Sequence, residues 1–363
     1  INTELKEFCR PMRKNMHLPH QYIERDSGQI RDESLYADPL IRTIYAPIRE
    51  RAGWLFNTLT GAHVSQALAL LNYDLSLGAK VLGHHRFLYN CGVNLAECLE
   101  TPQQLDTARK VFERKIRYWQ CRPMPQEAAA IVSPADARVL IGSFTETSQL
   151  FIKEKFFGFD ELLGTHKPAW LDAFRGGDFA IFRLTPDKYH YNHAPVSGKV
   201  VDIYSFAGCY HSCNPQAIVA EGAPYSKNKR IVTIIDTDVP GGTATGLVAM
   251  IEIVAMMIGD IRQCYSERAY QDPVPVTPGL FMHKGQPKSL YRPGSSTDIL
   301  IFEKNRMRFA DDLRQNQLRQ DISSRFTHGF QKPLVETDLQ VRSLIGHAKK
   351  SLPRPDSCQG EQP

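Results

Sequence analysis

The spacing of apolar residues divides the chain into a front part with helical periodicity and a back part with short, strand-like runs. In the front part, apolar side chains recur three and four residues apart, as in Leu40, Ile41, Ile44, Tyr45 and Ile48, which predicts amphipathic helices. From Ala130 onward the runs shorten, and strands are predicted at 178–184, 199–206, 231–236, 247–261 and 298–302. The pattern predicts an α+β fold: a helical N-terminal region over 1–125 packed on a β-rich catalytic domain over 126–350, then a polar tail over 351–363 that we expect to be disordered.

A helix start is predicted at Thr101, because the segment Thr101-Pro102-Gln103-Gln104 has the form of a capping box with proline in the first turn. The apolar face of this helix would consist of Leu105, Ala108, Val111, Phe112 and Ile116. Earlier in the chain, the runs 53–56 and 67–71 are apolar enough for a core helix, and they are also compatible with an interfacial one.

Composition narrows the class of protein without selecting a chemistry. The chain has 363 residues, 42% of them hydrophobic, which is enough to bury a full core. Its net charge of +5 is too small and too scattered to indicate nucleic-acid binding, although it is compatible with an anionic membrane surface. No run approaches the roughly 20 apolar residues of a membrane-spanning helix. Eight cysteines dispersed over this length do not form a disulfide framework, so a reducing cytoplasm is expected.

A small-residue turn, Gly294-Ser295-Ser296-Thr297, runs directly into the predicted strand at 298–302. A serine in such a turn can attack the carbonyl group that precedes it, provided that the peptide can be bent out of its planar resting geometry. Gly294 supplies the conformational freedom for this bend. The resulting ester can eliminate to dehydroalanine and hydrolyse to a pyruvoyl group. Taken alone, the segment also fits an ordinary loop entering a strand.

Several motifs resemble those of the phosphatidylserine decarboxylase family of pyruvoyl enzymes, and they occur in the family's order over roughly residues 105–305. The C-terminal signature is matched by Tyr291, Gly294, Ser296, Thr297 and Phe302. The other matching segments are Arg122-Pro123-Met124, Ser133-Pro134-Ala135-Asp136, the run from Pro186 to Pro195 with His190 and His193, Asn228-Lys229-Arg230, and Ile258-Gly259-Asp260-Ile261.

The resemblance implies a role for each catalytic residue. Self-cleavage is expected between Ser295 and Ser296, although Ser295 stands where many members have glycine, which leaves the Gly294-Ser295 bond as an alternative. Ser296 would become the pyruvoyl cofactor. Asp136 would orient His193, and His193 would activate the Ser296 hydroxyl as a general base. His190 would contact the substrate carboxylate or deliver a proton after decarboxylation.

Local sequence also predicts how the two histidines are arranged. Thr185-Pro186 is a helix start and Pro195 a stop, so His190 and His193, three residues apart, are expected on one face of a short helical turn.

The function implied by the resemblance is a lyase that converts phosphatidylserine to phosphatidylethanolamine through a Schiff base with the pyruvoyl group. It would be a homodimer, with peripheral contact to the inner face of the membrane. One alternative is a decarboxylase of a free, aromatic amino acid. Two alternatives from other classes are a Ser-His-Asp hydrolase and a binding scaffold that does not mature.

Two further groups of polar residues are weaker candidates. No metal is expected, because Cys209, His211 and Cys213 lack paired Cys-x-x-Cys spacing. Glu252 lies within an apolar run and therefore needs a partner, which could be a substrate ammonium group or a structural arginine.

Overall fold

The computed structural model describes residues 19–33, 88–89, 92–145, 156–221, 223–255, 260–293 and 296–349. Most of the predicted N-terminal helical region, including the apolar runs at 53–56 and 67–71, lies outside these ranges, as does the predicted tail over 351–363. The described part is rich in strands, with short helices around them, and this confirms the α+β class.

The strands form one large sheet and two small ones. Their bounds are β1 Gln21–Glu24, β2 Ile30–Asp32, β3 Ala130–Val132, β4 Ala137–Ser143, β5 Asp178–Leu184, β6 Tyr191–His193, β7 Gly198–Phe206, β8 Arg230–Asp236, β9 Leu247–Val254, β10 Ile261–Gln263, β11 Phe281–Met282, β12 Pro287–Tyr291, β13 Ser296–Phe302, β14 Met307–Phe309, β15 Glu336–Leu339 and β16 Leu344–Ala348. The ten-stranded sheet has the order β11-β7-β8-β9-β13-β5-β4-β15-β1-β2, and the three-stranded sheets have the orders β10-β12-β6 and β14-β16-β3.

Strand β13 lies in the middle of the large sheet, paired antiparallel with β5 on one side and β9 on the other. Every residue of β13 is buried, including the polar Ser296, Thr297 and Asp298 that precede its apolar run. The strand predicted at 178–184 is confirmed as β5, and that at 298–302 lies within β13. The strand predicted over 247–261 is wrong in length, because β9 ends at Val254 and β10 begins at Ile261 in a different sheet.

The N-terminal segment does not have the predicted helical structure throughout. Residues 21–32 form the hairpin β1–β2, and β1 pairs parallel with β15 at the edge of the large sheet. The ion pairs of Arg183 with Glu33 and Glu336 fix this segment against the sheet. The predicted boundary between residues 125 and 126 stays a prediction, but this early segment is part of the main sheet.

The helices are short and lie between strands. Their bounds are α1 Ala108–Phe112, α2 Tyr118–Cys121, α3 Phe159–Leu163, α4 Pro168–Phe174, α5 Pro215–Ala220, α6 Pro224–Lys227, α7 Asp311–Gln317 and α8 Arg325–Phe330. The helix predicted from Thr101 is wrong in extent. Gln104 does cap the backbone N–H of Thr101 at 2.8 Å, but only a turn follows, and the helix begins at Ala108 with Thr107 as its N-cap.

Apolar side chains cover both faces of the large sheet. One cluster contains Ile299 and Ile301 of β13 together with the helical residues Leu162, Phe174 and Phe326. The opposite cluster contains Leu300 and Phe302 together with Phe112, Ala194 and Tyr291. Because alternate residues of a strand point to opposite faces, the second cluster marks the side of β13 on which Ser296 lies.

Candidate active site

Ser296 is the first residue of β13, opposite Leu184 of β5 and Val254 of β9. The residue is completely buried, and its hydroxyl oxygen has no hydrogen-bond partner among the described residues. A buried hydroxyl without a partner is costly, which makes Ser296 a candidate for chemistry rather than for structure. Gly294 and Ser295 lie outside the described residues, so the structure describes only one side of the predicted Ser295-Ser296 bond.

Tyr291 holds the strands on both sides of this turn together. Its hydroxyl lies 2.7 Å from an oxygen of Asp298 and 3.0 Å from the carbonyl oxygen of Thr297, and it accepts the backbone N–H of Ile253 at 3.0 Å. Strand β12 is thereby anchored to both β9 and β13. The turn between Tyr291 and Ser296 begins and ends at fixed points, which is the setting in which a bent peptide can be maintained.

His193 lies in β6, opposite Pro287 of β12. Its Nδ1 is 2.8 Å from the carbonyl oxygen of Gly285, and its Nε2 is 2.9 Å from the hydroxyl of Tyr189. Burial lowers the pKa of His193 to about 3. The imidazole is therefore neutral near pH 7, which is the form that a general base requires.

His190 immediately precedes β6, and its carbonyl oxygen accepts the N–H of Tyr291 at 3.1 Å. Its ring stacks on Phe112, with 3.5 Å between centroids and 24° between planes. Neither ring nitrogen has a hydrogen-bond partner within the described part of the chain. Burial lowers the pKa of His190 well below its usual value, and the positive charge of Arg114 lowers it further.

The two histidines do not share a helical turn as predicted. Residues 191–193 form a strand, because their backbone pairs with β12, and only a single turn closes between Thr185 and Lys188. Positions three apart in an extended segment point to opposite sides. Accordingly, His190 packs against Phe112 of α1, whereas His193 contacts Tyr189 and Gly285.

Asp136 is buried and bound by Arg122. The guanidinium donates from Nε to Oδ1 at 3.0 Å and from Nη2 to Oδ2 at 2.8 Å, and Val341 N–H donates to Oδ1 at 2.8 Å. Burial opposes ionisation of Asp136, but Arg122 outweighs it and lowers the pKa of the carboxyl below its usual value. The described hydrogen bonds of Asp136 do not include His193, whose Nδ1 is oriented by the Gly285 carbonyl instead. A role for Asp136 in activating His193 stays a prediction, and it would have to act through charge rather than contact.

The sequence singled out Glu252 as a buried acid that needs a partner, but it did not identify the residues around it. The Lys288 ammonium lies 2.7 Å from Glu252 Oε2, and Gln263 donates to the same oxygen at 2.7 Å. Ser289 also donates to the Glu252 carboxylate. The partner of Glu252 is therefore a lysine of β12 rather than the expected arginine or a substrate amine. No sequence signal would have identified Lys288 as the partner, because β12 is not an apolar run and lies 36 residues beyond Glu252.

A polar cavity of about 230 Å³ lies beside Asp136 and Tyr189. Its walls carry the cations Arg114, Arg122 and Lys188, together with the acidic residues Glu97, Asp187 and Asp338. Tyr189 lines this cavity and also contacts the ring of His193, so the cavity lies next to His193.

Comparison with known proteins gives a consistent result. The sequence profile of the family described as phosphatidylserine decarboxylase matches residues 108–327. Phosphatidylserine decarboxylase proenzyme 2 of Oryza sativa is 31% identical over 236 residues, covering 64% of this chain and 35% of that protein. The phosphatidylserine decarboxylase proenzyme of Ruminiclostridium cellulolyticum is 28% identical over 294 residues, covering 81% of this chain and 90% of its own length.

A third relative, the phosphatidylserine decarboxylase proenzyme of Fusobacterium nucleatum, is 26% identical over 298 residues, covering 82% of this chain and 91% of that protein. Within the described ranges, no helix has the length and apolar character needed to cross a bilayer. Since the family profile covers more than half of the sequence, the chain belongs to the phosphatidylserine decarboxylase family, and it is a decarboxylase of the carboxy-lyase class.

Proposed function

We propose that the chain is a proenzyme that cleaves itself between Ser295 and Ser296 and then decarboxylates phosphatidylserine to phosphatidylethanolamine. The observation that carries this proposal is the Ser296 hydroxyl, buried without a described partner at the start of a central strand, on the face whose apolar cluster includes Phe112, on which the His190 ring stacks. The relatives above are all named proenzymes, which agrees with a chain that must be processed.

In the proposed cleavage, Ser296 Oγ attacks the carbonyl carbon of Ser295 while His193 takes the hydroxyl proton. The peptide C–N bond breaks, its nitrogen takes up a proton, and an ester forms. Elimination then releases the Ser295 carboxylate and leaves dehydroalanine at position 296. One water molecule converts the dehydroalanine to a pyruvoyl group and releases ammonia.

The surroundings of Ser296 fit a pyruvoyl group, because its hydroxyl is without a partner and lies in a buried layer from which water is excluded. A pyruvoyl carbonyl supplies an electrophile that can form a Schiff base with the substrate amine and withdraw electrons as carbon dioxide leaves. His190 is the residue proposed to hold the substrate carboxylate or return the proton. Its ring is fixed by Phe112, and its two nitrogens are not engaged by other described residues.

The choice of phosphatidylserine rests on the family and on Arg114 in the wall of the cavity. Arg122 and Lys188 are paired with carboxylates, whereas Arg114 donates to the backbone carbonyls of Val111 and Asp187. Arg114 therefore has no carboxylate partner among the described residues, and it is the group proposed to bind a phosphate or carboxylate of the substrate. A homodimer, a cytoplasmic location and peripheral contact with the membrane are proposals from the family resemblance.

Denaturing electrophoresis and intact-mass analysis test the cleavage. The wild-type 363-residue chain should yield a fragment of residues 296–363, about 8 kDa of the 41.1 kDa total, with a ketone at its N-terminus. The Ser296→Ala variant should stay whole, and the matched Ser295→Ala variant should still be cut. Cleavage of Ser296→Ala but not Ser295→Ala would move the bond to Gly294-Ser295. An uncut wild-type chain would favour a binding scaffold.

Release of carbon dioxide tests the substrate. Matured protein is incubated with phosphatidylserine vesicles and, separately, with tryptophan. Release from the vesicles alone supports the proposal, and release from tryptophan alone would assign the chain to free amino-acid decarboxylation. A Ser-His-Asp hydrolase receives no support from the geometry, because Asp136 and His193 share no described hydrogen bond.

A further inference from the structure

The Tyr291 hydroxyl makes three close contacts at the start of strand β13. It accepts the N–H of Ile253 at 3.0 Å, and it lies 3.0 Å from the Thr297 carbonyl oxygen and 2.7 Å from Asp298 Oδ1. Ile253 and Thr297 are opposite each other in the pairing of β9 with β13. The hydroxyl therefore lies between a backbone donor and a backbone acceptor of neighbouring strands, one residue after Ser296.

The three contacts do not fit an ionised Asp298. A tyrosine hydroxyl has one hydrogen, and both the Thr297 carbonyl and a carboxylate can only accept. An ionised Asp298 would take that hydrogen and leave the oxygen atoms of Tyr291 and Thr297 3.0 Å apart with no hydrogen between them. A protonated Asp298 can instead donate to Tyr291, which is then free to donate to Thr297. In that form all three contacts are hydrogen bonds.

The other groups around Asp298 also favour the protonated form. Glu252 lies directly opposite in β9, and its carboxylate is paired with Lys288 of β12 at 2.7 Å. On the β5 side the opposite residue is the apolar Phe182. Asp298 Oδ2 is buried and has no hydrogen-bond partner among the described residues, so a negative charge would have no donor there. Burial and the Glu252 charge accordingly raise the pKa of Asp298 well above its usual value.

We propose that Tyr291 and Asp298 are positioning residues for self-cleavage, in which protonated Asp298 directs the Tyr291 hydroxyl to the Thr297 carbonyl and so fixes the backbone at Ser296. The proposal rests on the proposed function, specifically on cleavage at Ser296, and it does not depend on which base removes the Ser296 proton. Neither side chain gains or loses a proton in the reaction.

This arrangement closes the turn that contains the scissile bond. The backbone N–H of Tyr291 donates to the His190 carbonyl oxygen at 3.1 Å, which fixes Tyr291 in β12 where the turn begins. Its hydroxyl binds Thr297 where the turn has ended. The five residues 292–296 thus form a loop whose two ends are held by one side chain. Holding the ends restricts the conformations of the loop, and this favours the geometry in which the Ser296 hydroxyl can attack.

Three substitutions separate the parts of this arrangement. Tyr291→Phe leaves the Thr297 carbonyl without this donor and should slow cleavage about fivefold to a hundredfold. Asp298→Asn keeps a donor, since an amide N–H can replace the acid O–H, and its rate should stay within about twofold of wild type. Asp298→Leu has no donor, so the loss of one neutral hydrogen bond should slow cleavage about threefold to tenfold.

Cleavage is followed by gel after pulse-labelled cell-free translation of wild type, the three single variants and the double variant Tyr291→Phe/Asp298→Leu. Because Asp298 acts through Tyr291, adding Asp298→Leu to Tyr291→Phe should cause little further loss of rate. Tyr204→Phe is the matched control. Its hydroxyl also donates to a backbone carbonyl, that of Leu163 at 2.9 Å, but its strand β7 is separated from β13 by β8 and β9. This control should cleave at the wild-type rate.

Four results would overturn the proposal. Tyr291→Phe would cleave at the wild-type rate, Tyr204→Phe would be slowed equally, Asp298→Asn would be as slow as Asp298→Leu, or the two losses of rate in the double variant would multiply. Any one of them is sufficient, because each removes a separate step of the relay from Asp298 through Tyr291 to the backbone.

Infrared difference spectra test the proton on Asp298 without relying on cleavage. A protonated carboxylic acid has a carbonyl stretching band that an ionised carboxylate lacks. In the Ser296→Ala background at neutral pH, the spectrum of the precursor minus that of its Asp298→Asn variant should contain this band. Tyr291→Phe should shift the band, because the acid loses its acceptor. Absence of the band, or a band that Tyr291→Phe does not move, would overturn the proposal.

The two proposals fail in different ways. A wild-type chain that stays whole would end both of them, because there would be no cleavage to position. If wild type is cut at Ser296, a missing infrared band or unaffected Tyr291→Phe cleavage would end the positioning role alone.

Discussion

The Lys288 ammonium lies 2.7 Å from the Glu252 carboxylate, and both side chains are completely buried. Strand β9 places Glu252 directly opposite Asp298 of β13, two residues after Ser296. Burial raises the pKa of Asp298 well above its usual value, and the negative charge of Glu252 raises it further. Below the cleavage turn, the ion pair of Glu252 and Lys288 thus lies beside a second carboxyl group with a raised pKa, and hydrogen bonds with Tyr291, Gln263 and Asn192 fix the two carboxyl groups.

Removing Lys288 should destabilise the fold severely. Lys288→Met leaves the Glu252 charge buried without its cation, a loss that typically costs about 3–5 kcal/mol. Urea unfolding in the Ser296→Ala background measures the change, so that cleavage does not interfere. The control is Arg308→Ala, because Arg308 and Asp311 are 63% and 61% exposed, and such pairs contribute under about 1 kcal/mol. Equal losses for the two variants would contradict a structural role for the buried pair.

The two histidines should separate maturation from catalysis. His193→Ala removes the proposed base and should slow self-cleavage about 10² to 10⁴-fold, leaving mostly uncut chain. His190→Ala should be cut, because His190 contacts Phe112 rather than His193, but the cut protein should release little carbon dioxide from phosphatidylserine. Gels report the first effect and carbon dioxide release the second. Normal activity in matured His190→Ala would exclude the proposed substrate role.

Sequence predicted the parts of this site that depend on local pattern. The signature around Ser296 and the apolar run of β13 were sufficient to place a strand directly after the turn, and β5 was predicted with its observed bounds. Both strands are buried and contain a run of apolar residues. Such a run can be recognised without knowing which distant segments pair with it.

The partners of the polar groups could not be predicted in the same way. Gly285, which binds His193, is 92 residues from it along the chain, and Val341 is 205 residues from Asp136. Both partners lie in turns that the fold brings together with remote segments, and no local spacing encodes the contacts. Thr185-Pro186 does begin a turn, as its sequence indicates. The predicted helix does not continue to His193, because that segment pairs with β12 as a strand.

The buried neutral histidines should make stability depend on pH. The pKa of His193 is about 3 in the folded chain, and that of His190 is also lowered, against a usual value near 6.5. The unfolded chain therefore binds more protons as the pH falls, so their contribution to stability is complete above about pH 6.5 and declines below it, by roughly 1.4 kcal/mol per pH unit for each histidine.

Urea unfolding of the Ser296→Ala precursor at several pH values from neutral to mildly acidic measures this decline. His193→Gln should show a shallower slope than its parent, whatever its absolute stability. His283→Gln is the control, since that side chain is 57% exposed, and its slope should match the parent. A slope unchanged by His193→Gln would show that His193 is not held neutral by burial.

Arg114 should contribute to substrate binding rather than to maturation. Its guanidinium lines the cavity and donates to the carbonyl oxygens of Val111 at 2.9 Å and Asp187 at 2.8 Å, and within the described ranges it has no carboxylate partner. Hydrogen bonds between charged groups contribute about 1.5–3 kcal/mol, so Arg114→Gln should raise the KM for phosphatidylserine roughly tenfold or more while the fraction of cleaved chain stays the same. Arg114→Lys keeps the charge and should recover part of the affinity, although it cannot make both carbonyl contacts in the same fork geometry.

Because Arg114 also lowers the pKa of His190, its loss should raise that pKa. Steady-state assays on fully matured protein give KM and kcat separately, and a KM within twofold of wild type for Arg114→Gln would place the anionic headgroup elsewhere.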